Sequence, residues 1–192
     1  VTITDGGVNG NITIALSGTH THSAHTDRTR AIWLPAQTFA SVVGAPTLAL
    51  VGSTATVAER ILAWALDAAS TEAIATSLFL PSDYAGGVIT PRIHWAPANT
   101  STGDASIQPV IGSLAAADQI DETAIDSSGN LVTGPGTADQ YTITTLSLST
   151  FTPTNTSDLI RLTIQRLGAN AADTFTGDFW FIGLELQYTA DM

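Results

Sequence analysis

The chain has no cysteine and no lysine, and only 12% of its 192 residues are charged. Without cysteine, disulfides and thiolate metal sites are excluded. The fold must then hold by core packing and by association between copies. The 6 basic residues are all arginine and face 17 acidic ones, for a net charge of -11. Phosphate backbones are gripped by clustered Lys and Arg. Nucleic acid is therefore not an expected partner, nor is an anionic membrane surface. No apolar run approaches a membrane span, since the longest candidate, around Phe179 to Leu184, is far too short. No Gly-x-Ser-x-Gly elbow, phosphate loop or dinucleotide glycine pattern is present. Glu59, Glu72 and Glu185 are isolated acids, and nothing pairs two of them as glycoside hydrolysis requires. The chain reads as a non-enzyme. No basic-then-apolar leader opens it, and Val1 is a residue after which an initiator methionine is trimmed. Synthesis in the cytoplasm without a secretion signal is the expectation.

What is present is a β pattern. Thr, Ala, Ser and Gly are abundant, which suits a hydroxyl-rich sheet surface. Short alternating runs follow one another between Gly, Pro and Asn turns. Leu62, Trp64 and Leu66 share one face, as do Ile160, Leu162 and Ile164, and Leu184, Leu186 and Tyr188. Tyr141, Ile143, Thr145 and Ser147 oppose Thr142, Thr144, Leu146 and Leu148. Residues 57 to 66 fit a helix or a strand. Pro91 and Pro109 argue that their runs are edge strands or bulged. The expected fold is all-β, an antiparallel β-sandwich or jelly roll over residues 31–192. Residues 1–30 differ. They are Gly-, Asn- and Thr-rich, carry the turn signals Asp5-Gly6-Gly7 and Asn9-Gly10-Asn11, and hold one alternating run, Ile12 to Leu16. They read as an extended N-terminal arm.

Three of the 4 histidines fall in the tract Gly18-Thr19-His20-Thr21-His22-Ser23-Ala24-His25. In an extended segment His20 and His22 point to the same side. Two imidazoles make a poor metal site, but three chains on a three-fold axis supply six. That set suits an octahedral transition-metal ion, Fe or Ni more than Zn. Gly18 would let the chains approach closely. The alternative is a solvent-exposed polar turn in which these histidines bind nothing.

The Gly-x-His-x-His pattern resembles one in trimeric tail fibres and spikes of tailed bacteriophages, where histidines of three chains hold a central ion. A second resemblance runs along the body. Arg30-Ala31-Ile32-Trp33-Leu34-Pro35-Ala36, Pro81-Ser82-Asp83-Tyr84, Thr102-Gly103-Asp104, Asp118-Gln119-Ile120-Asp121, Asp173-Thr174-Phe175-Thr176-Gly177-Asp178 and Gly183-Leu184-Glu185-Leu186-Gln187-Tyr188 look like a group of jelly-roll virion proteins from tailed-phage genomes. The resemblance implies a structural protein of the virion. It would be a homotrimeric capsid decoration or cement protein, or a small head or tail appendage, partnered by major capsid or tail proteins. Arg30, Trp33 and Pro35 are the expected interface residues. Two alternatives are a tail-fibre tip that binds a host-surface glycan and a carbohydrate-binding β-sandwich module.

Other groups have readings of their own. Arg166 ends a strand and can reach Asp173 across a loop whose carboxylates accept backbone N–H bonds. Asp118, Asp121 and Glu122, with Asp126 near, form an acidic turn whose spacing does not match the twelve-residue calcium loop. His94 shares a strand face with Arg92, away from Ile93 and Trp95, as a surface or interface histidine. Trp33, Trp64, Trp95 and Trp180 serve either as a sugar platform or as core anchors.

Overall fold

The computed structural model describes residues 2–4, 13–15, 28–52, 60–116, 118, 126–148, 151, 153 and 157–191. Two short strands near the N-terminus, β1 (Thr2–Thr4) and β2 (Thr13–Ala15), pair antiparallel with each other. The body is two antiparallel sheets. The first contains β4 (Ala40–Val43), β7 (Thr71–Phe79), β9 (Asp104–Leu114), β10 (Asp126–Ser127), β11 (Asn130–Thr133) and β13 (Leu159–Leu167). Its order is β10-β9-β13-β7-β4, with β11 also on β9. The second contains β3 (Arg28–Pro35), β5 (Thr47–Val51), β6 (Ile61–Leu66), β8 (Thr90–Pro97), β12 (Thr142–Thr145) and β14 (Phe179–Ala190). Its order is β12-β8-β14-β6-β5, and β3 pairs with β14. The expected antiparallel β-sandwich is the observed fold, and β3 begins it at Arg28.

The core follows from the period-2 alternation of the two central strands. β13 buries Ile160, Leu162 and Ile164, and β14 buries Phe179, Phe181, Leu184, Leu186 and Tyr188. Ile74, Ile93, Ile107 and Ile111 meet them between the sheets. Trp95 stacks on Phe179 with centroids 4.3 Å apart, and its Nε1 donates to Thr144 Oγ1 at 3.0 Å. Trp64 donates through Nε1 to the Ala36 carbonyl at 2.8 Å. Trp64 and Trp95 are thus core anchors with satisfied indole N–H groups.

Arg166 occupies the inward position after Ile164 and is 0% exposed. Its Nε and Nη2 bind Asp173 Oδ2 and Oδ1 at 3.0 and 2.9 Å. Nη1 donates to the carbonyls of Leu66 and Gly177 at 2.9 and 2.7 Å, and Nη2 also donates to that of Phe175 at 2.5 Å. Every N–H of the fork is therefore used, the condition under which a buried guanidinium is tolerated. Asp173 Oδ2 also accepts the Ser106 N–H at 3.0 Å, as the acidic loop led one to expect.

One alternative is resolved and two expectations change. From Ile61 to Leu66 the helix-or-strand run is a strand, paired with both β5 and β14. Residues 57–59 lie outside the described residues. Pro91 lies in β8, which is an interior strand between β14 and β12. Its carbonyl accepts the Leu146 N–H at 2.9 Å, just beyond the last residue of β12. An antiparallel residue points its N–H and C=O to the same side. The missing donor therefore faces away from β14, and no ladder bond to that strand is lost. Pro109 also lies in an interior strand. β11 pairs with Asp104 to Ile107 and β10 with Val110 and Ile111, so Pro109 stands in the interval between them.

Candidate functional site

The outer face of the second sheet carries side chains that a simple surface has no need for. Along β14 the outward positions are Trp180, Ile182, Gly183, Glu185 and Gln187. Phe181 pairs with Trp95 and Gly183 with His94, so Ile182 is the extra residue of a β-bulge. The bulge sets Ile182 and Gly183 side by side and divides the face into two halves.

The C-terminal half is polar and aromatic. Trp33 lies opposite Glu185 on β14, and Glu185 opposite Arg92 on β8. One row across three strands is therefore Trp33, Glu185, Arg92. Arg92 Nη1 donates to Glu185 Oε1 at 3.0 Å, and Gln187 Nε2 donates to the same oxygen at 2.7 Å. The next row holds Gly183, His94 and Ile143. The six-membered ring of Trp33 rests against Gly183, where an added Cβ would stand 2.7 Å from Cζ2 of the indole. Trp33 also meets the His94 ring edge-on, with centroids 4.7 Å apart and an angle of 70°. The indole is nevertheless 48% exposed, because only one side is covered. Tyr141, 55% exposed, flanks His94 on the other side with centroids 5.8 Å apart. Its hydroxyl is 2.5 Å from His94 Nδ1.

His94 itself is buried under these two rings. Nε2 stands 3.3 Å from Glu185 Oε2, an ion-pair distance without hydrogen-bond alignment. Burial lowers the His94 pKa. The Glu185 carboxylate pulls it up and Arg92 pushes it down, and the net direction is down. Glu185 is the reverse case. Desolvation raises its pKa, but Gln187, Arg92 and His94 together outweigh that and hold it below the ordinary value. At neutral pH the cluster is a neutral imidazole beside a carboxylate–guanidinium pair.

The N-terminal half is apolar. Val51, Ala63, Ala96 and Ile182 form a second, small cluster with Trp180 packed on it. Above it lies a cavity of about 380 Å³, walled by Val51, Ile61, Ala96, Trp180, Ile182 and Tyr141, with Gly52 and Asp139 completing the lining. Asp139 adopts φ 61° and donates its N–H to the Pro97 carbonyl at 2.9 Å. Tyr141 borders the cavity and the aromatic row at once.

Of the residues expected to matter, Trp33 is central to this face. Pro35 lies on the same strand, half-buried, and its carbonyl accepts the Thr38 hydroxyl at 2.8 Å. Arg30 is exposed and ion-paired with Asp83, which also accepts the Tyr188 hydroxyl at 3.1 Å. His20 and His22, with Gly18 and His25, lie outside the described residues, as do Asp121 and Glu122. Asp118 accepts the Ala115 N–H through Oδ2 at 2.7 Å. Among the described residues no group of three or more His, Cys, Asp or Glu is placed to hold a metal ion. No helix among them is long and apolar enough to cross a membrane. Glu185 reads from the sequence only as an isolated acid, and Gln187 and Tyr141 carry no site role there. Their signal is the outward position in alternating strands, which becomes specific only once β3, β14, β8 and β12 are known to be neighbours.

No protein-family model matches the chain, and no curated protein does. Among solved structures it is similar to a family 35 carbohydrate-binding module from Clostridium thermocellum. Identity is 10% over 82% of this chain and 97% of that one, with a TM-score of 0.50. A family 11 carbohydrate-binding module from the same organism, in complex with a β-1,3-1,4-mixed-linked tetrasaccharide, is 10% identical. It covers 84% of this chain and 98% of that one, at a TM-score of 0.49. A family 35 module from an environmental isolate is 14% identical over 84% and 99%, at 0.47. The likeness to the first of these, at 10% identity, bears on the fold alone, the antiparallel β-sandwich.

Proposed function

We propose that the protein is a non-catalytic, glycan-binding β-sandwich whose ligand lies across the outer face of the second sheet. The observation that carries this is the seating of Trp33. One side of the indole rests on Gly183, the residue is 48% exposed, and the Glu185–Arg92 pair continues its row across the sheet. A sugar ring has an apolar C–H face and a rim of hydroxyls. The open indole suits the face, and the carboxylate, guanidinium and Gln187 amide suit the rim. That a protein of the same fold is a carbohydrate-binding module supports the reading. The test is titration of the protein with a panel of soluble plant, bacterial and chitin-derived oligosaccharides. Binding that Trp33→Ala weakens by about tenfold or more is expected, in line with the weight of interface tryptophans. Failure of the whole panel at millimolar sugar would refute it.

A second reading, a trimeric virion component partnered by capsid or tail proteins, is favoured by a different observation. Strands β4 and β5 are consecutive in the chain and each ends a sheet. They expose Val42, Val43, Leu48 and Leu50, and residues 31–58 contain no charged side chain. Bare, apolar, uncharged edges are what oligomer contacts cover. A glycan site on such a particle would serve to bind a host-surface glycan. Sedimentation should then give a trimer, and His22→Ala should remove any bound metal and lower trimer melting. A monomer at every concentration would defeat this reading.

A further inference from the structure

Resting on the glycan-binding reading, the geometry points to an uncharged N-acylated sugar as the ligand, with its acyl group in the cavity beside Tyr141. The cavity and the aromatic row share Tyr141, so a chain stacked on Trp33 reaches the cavity without leaving the face. The cavity is of the size that takes one small-molecule unit. Most of its wall is Val51, Ile61, Ala96 and Ile182, which offer a sugar hydroxyl no partner, and Tyr141, Trp180 and Asp139 complete its side-chain lining. A hydroxyl buried against those four aliphatic side chains would lose its water and gain nothing in exchange. A methyl group gains by the same burial. One charged residue, Asp139, is part of the lining, and a carboxylate only accepts. An acetamido group combines a methyl with an amide N–H donor, which matches this wall and this acceptor. Acidic sugars are disfavoured, since Asp139 is part of the cavity lining and the chain carries a net charge of -11.

The experiment compares triacetylchitotriose with cellotriose, which share a backbone and differ at the acetamido positions. Triacetylchitotriose should bind about tenfold tighter, the scale on which an apolar pocket reads one small group. Ala96→Leu, which fills the cavity, should abolish that preference. Saturation-transfer NMR on the unaltered protein should show its largest effect at the acetyl methyl, so the test does not depend on the variant folding. Equal affinity for the two sugars, or saturation confined to ring protons, would overturn this inference and leave glycan binding standing. Absence of binding by either sugar overturns the inference too, and the wider oligosaccharide panel then decides whether the function falls with it.

Discussion

Asp173 holds both arms of the Arg166 fork, at 3.0 and 2.9 Å, with neither side chain reached by solvent. The pair ties the end of β13 to the loop that leads into β14. Three carbonyls, from Leu66, Phe175 and Gly177, complete the guanidinium's shell. Removing the carboxylate leaves a buried charge without its counterion. Asp173→Ala should cost about 3–5 kcal/mol. In a chain of this length that is a drop in Tm on the order of 10 °C. Calorimetry checks it, and a loss within the range of ordinary surface substitutions would show that the pair is not structural.

Trp33 and Gly183 should differ in what their replacement costs in stability. Trp33→Ala removes a half-exposed side chain, so melting should shift little while sugar affinity falls. Gly183→Ala sets a methyl against Cη2 of the indole, 2.7 Å from its Cζ2 and 2.8 Å from the Leu34 carbonyl. One of these must move, which should cost about 1–3 kcal/mol. Tryptophan fluorescence should change as Trp33 is lifted from the sheet. A Gly183→Ala protein with unchanged stability and emission would show that the contact is loose.

The His94–Glu185 cluster sets a pH dependence with a definite sign. The folded-state pKa of His94 lies below its ordinary value, so the unfolded chain takes up that proton first. Stability from this group is complete above about pH 6.5 and falls as pH drops below it. Glu185, also held low, adds a loss of the same sign in the acid range. Thermal melting between pH 7 and pH 4 should therefore decline, and His94→Gln should flatten the upper part of the decline. A Tm that rises on acidification would contradict the assignment.

The β4–β5 flank makes its own prediction. Leu50→Lys places a charge on an exposed edge residue and should leave the monomer fold intact. If copies meet there, light scattering should show the assembly dissociate. An unchanged mass would move the contact elsewhere.

Much of the body was legible because both central strands alternate cleanly. Ile160, Leu162 and Ile164 point inward as their spacing requires, and so do Leu184, Leu186 and Tyr188. The tryptophans divide, with Trp64 and Trp95 in the core and Trp33 and Trp180 outside, a split that composition alone does not resolve. Arg166 and Asp173 are 7 residues apart, close enough for the loop between them to suggest the pair. Glu185 reads as isolated because its partner Arg92 is 93 positions away. The bulge at Ile182 has no signature in the residues themselves, since it is a slip between two strands. Pro91 misled because its missing donor points away from β14, to the side where β12 has already ended at Thr145.

Strand β14 is flanked along its length, by β8 on one side and by β6 and then β3 on the other. It also carries Trp180, Ile182, Gly183 and Glu185 of the proposed binding face. A segment so enclosed exchanges its amide hydrogens only when the whole domain opens. Any molecule seated on it is therefore coupled to global unfolding, and occupancy should be readable as a rise in melting temperature that scales with the logarithm of ligand concentration.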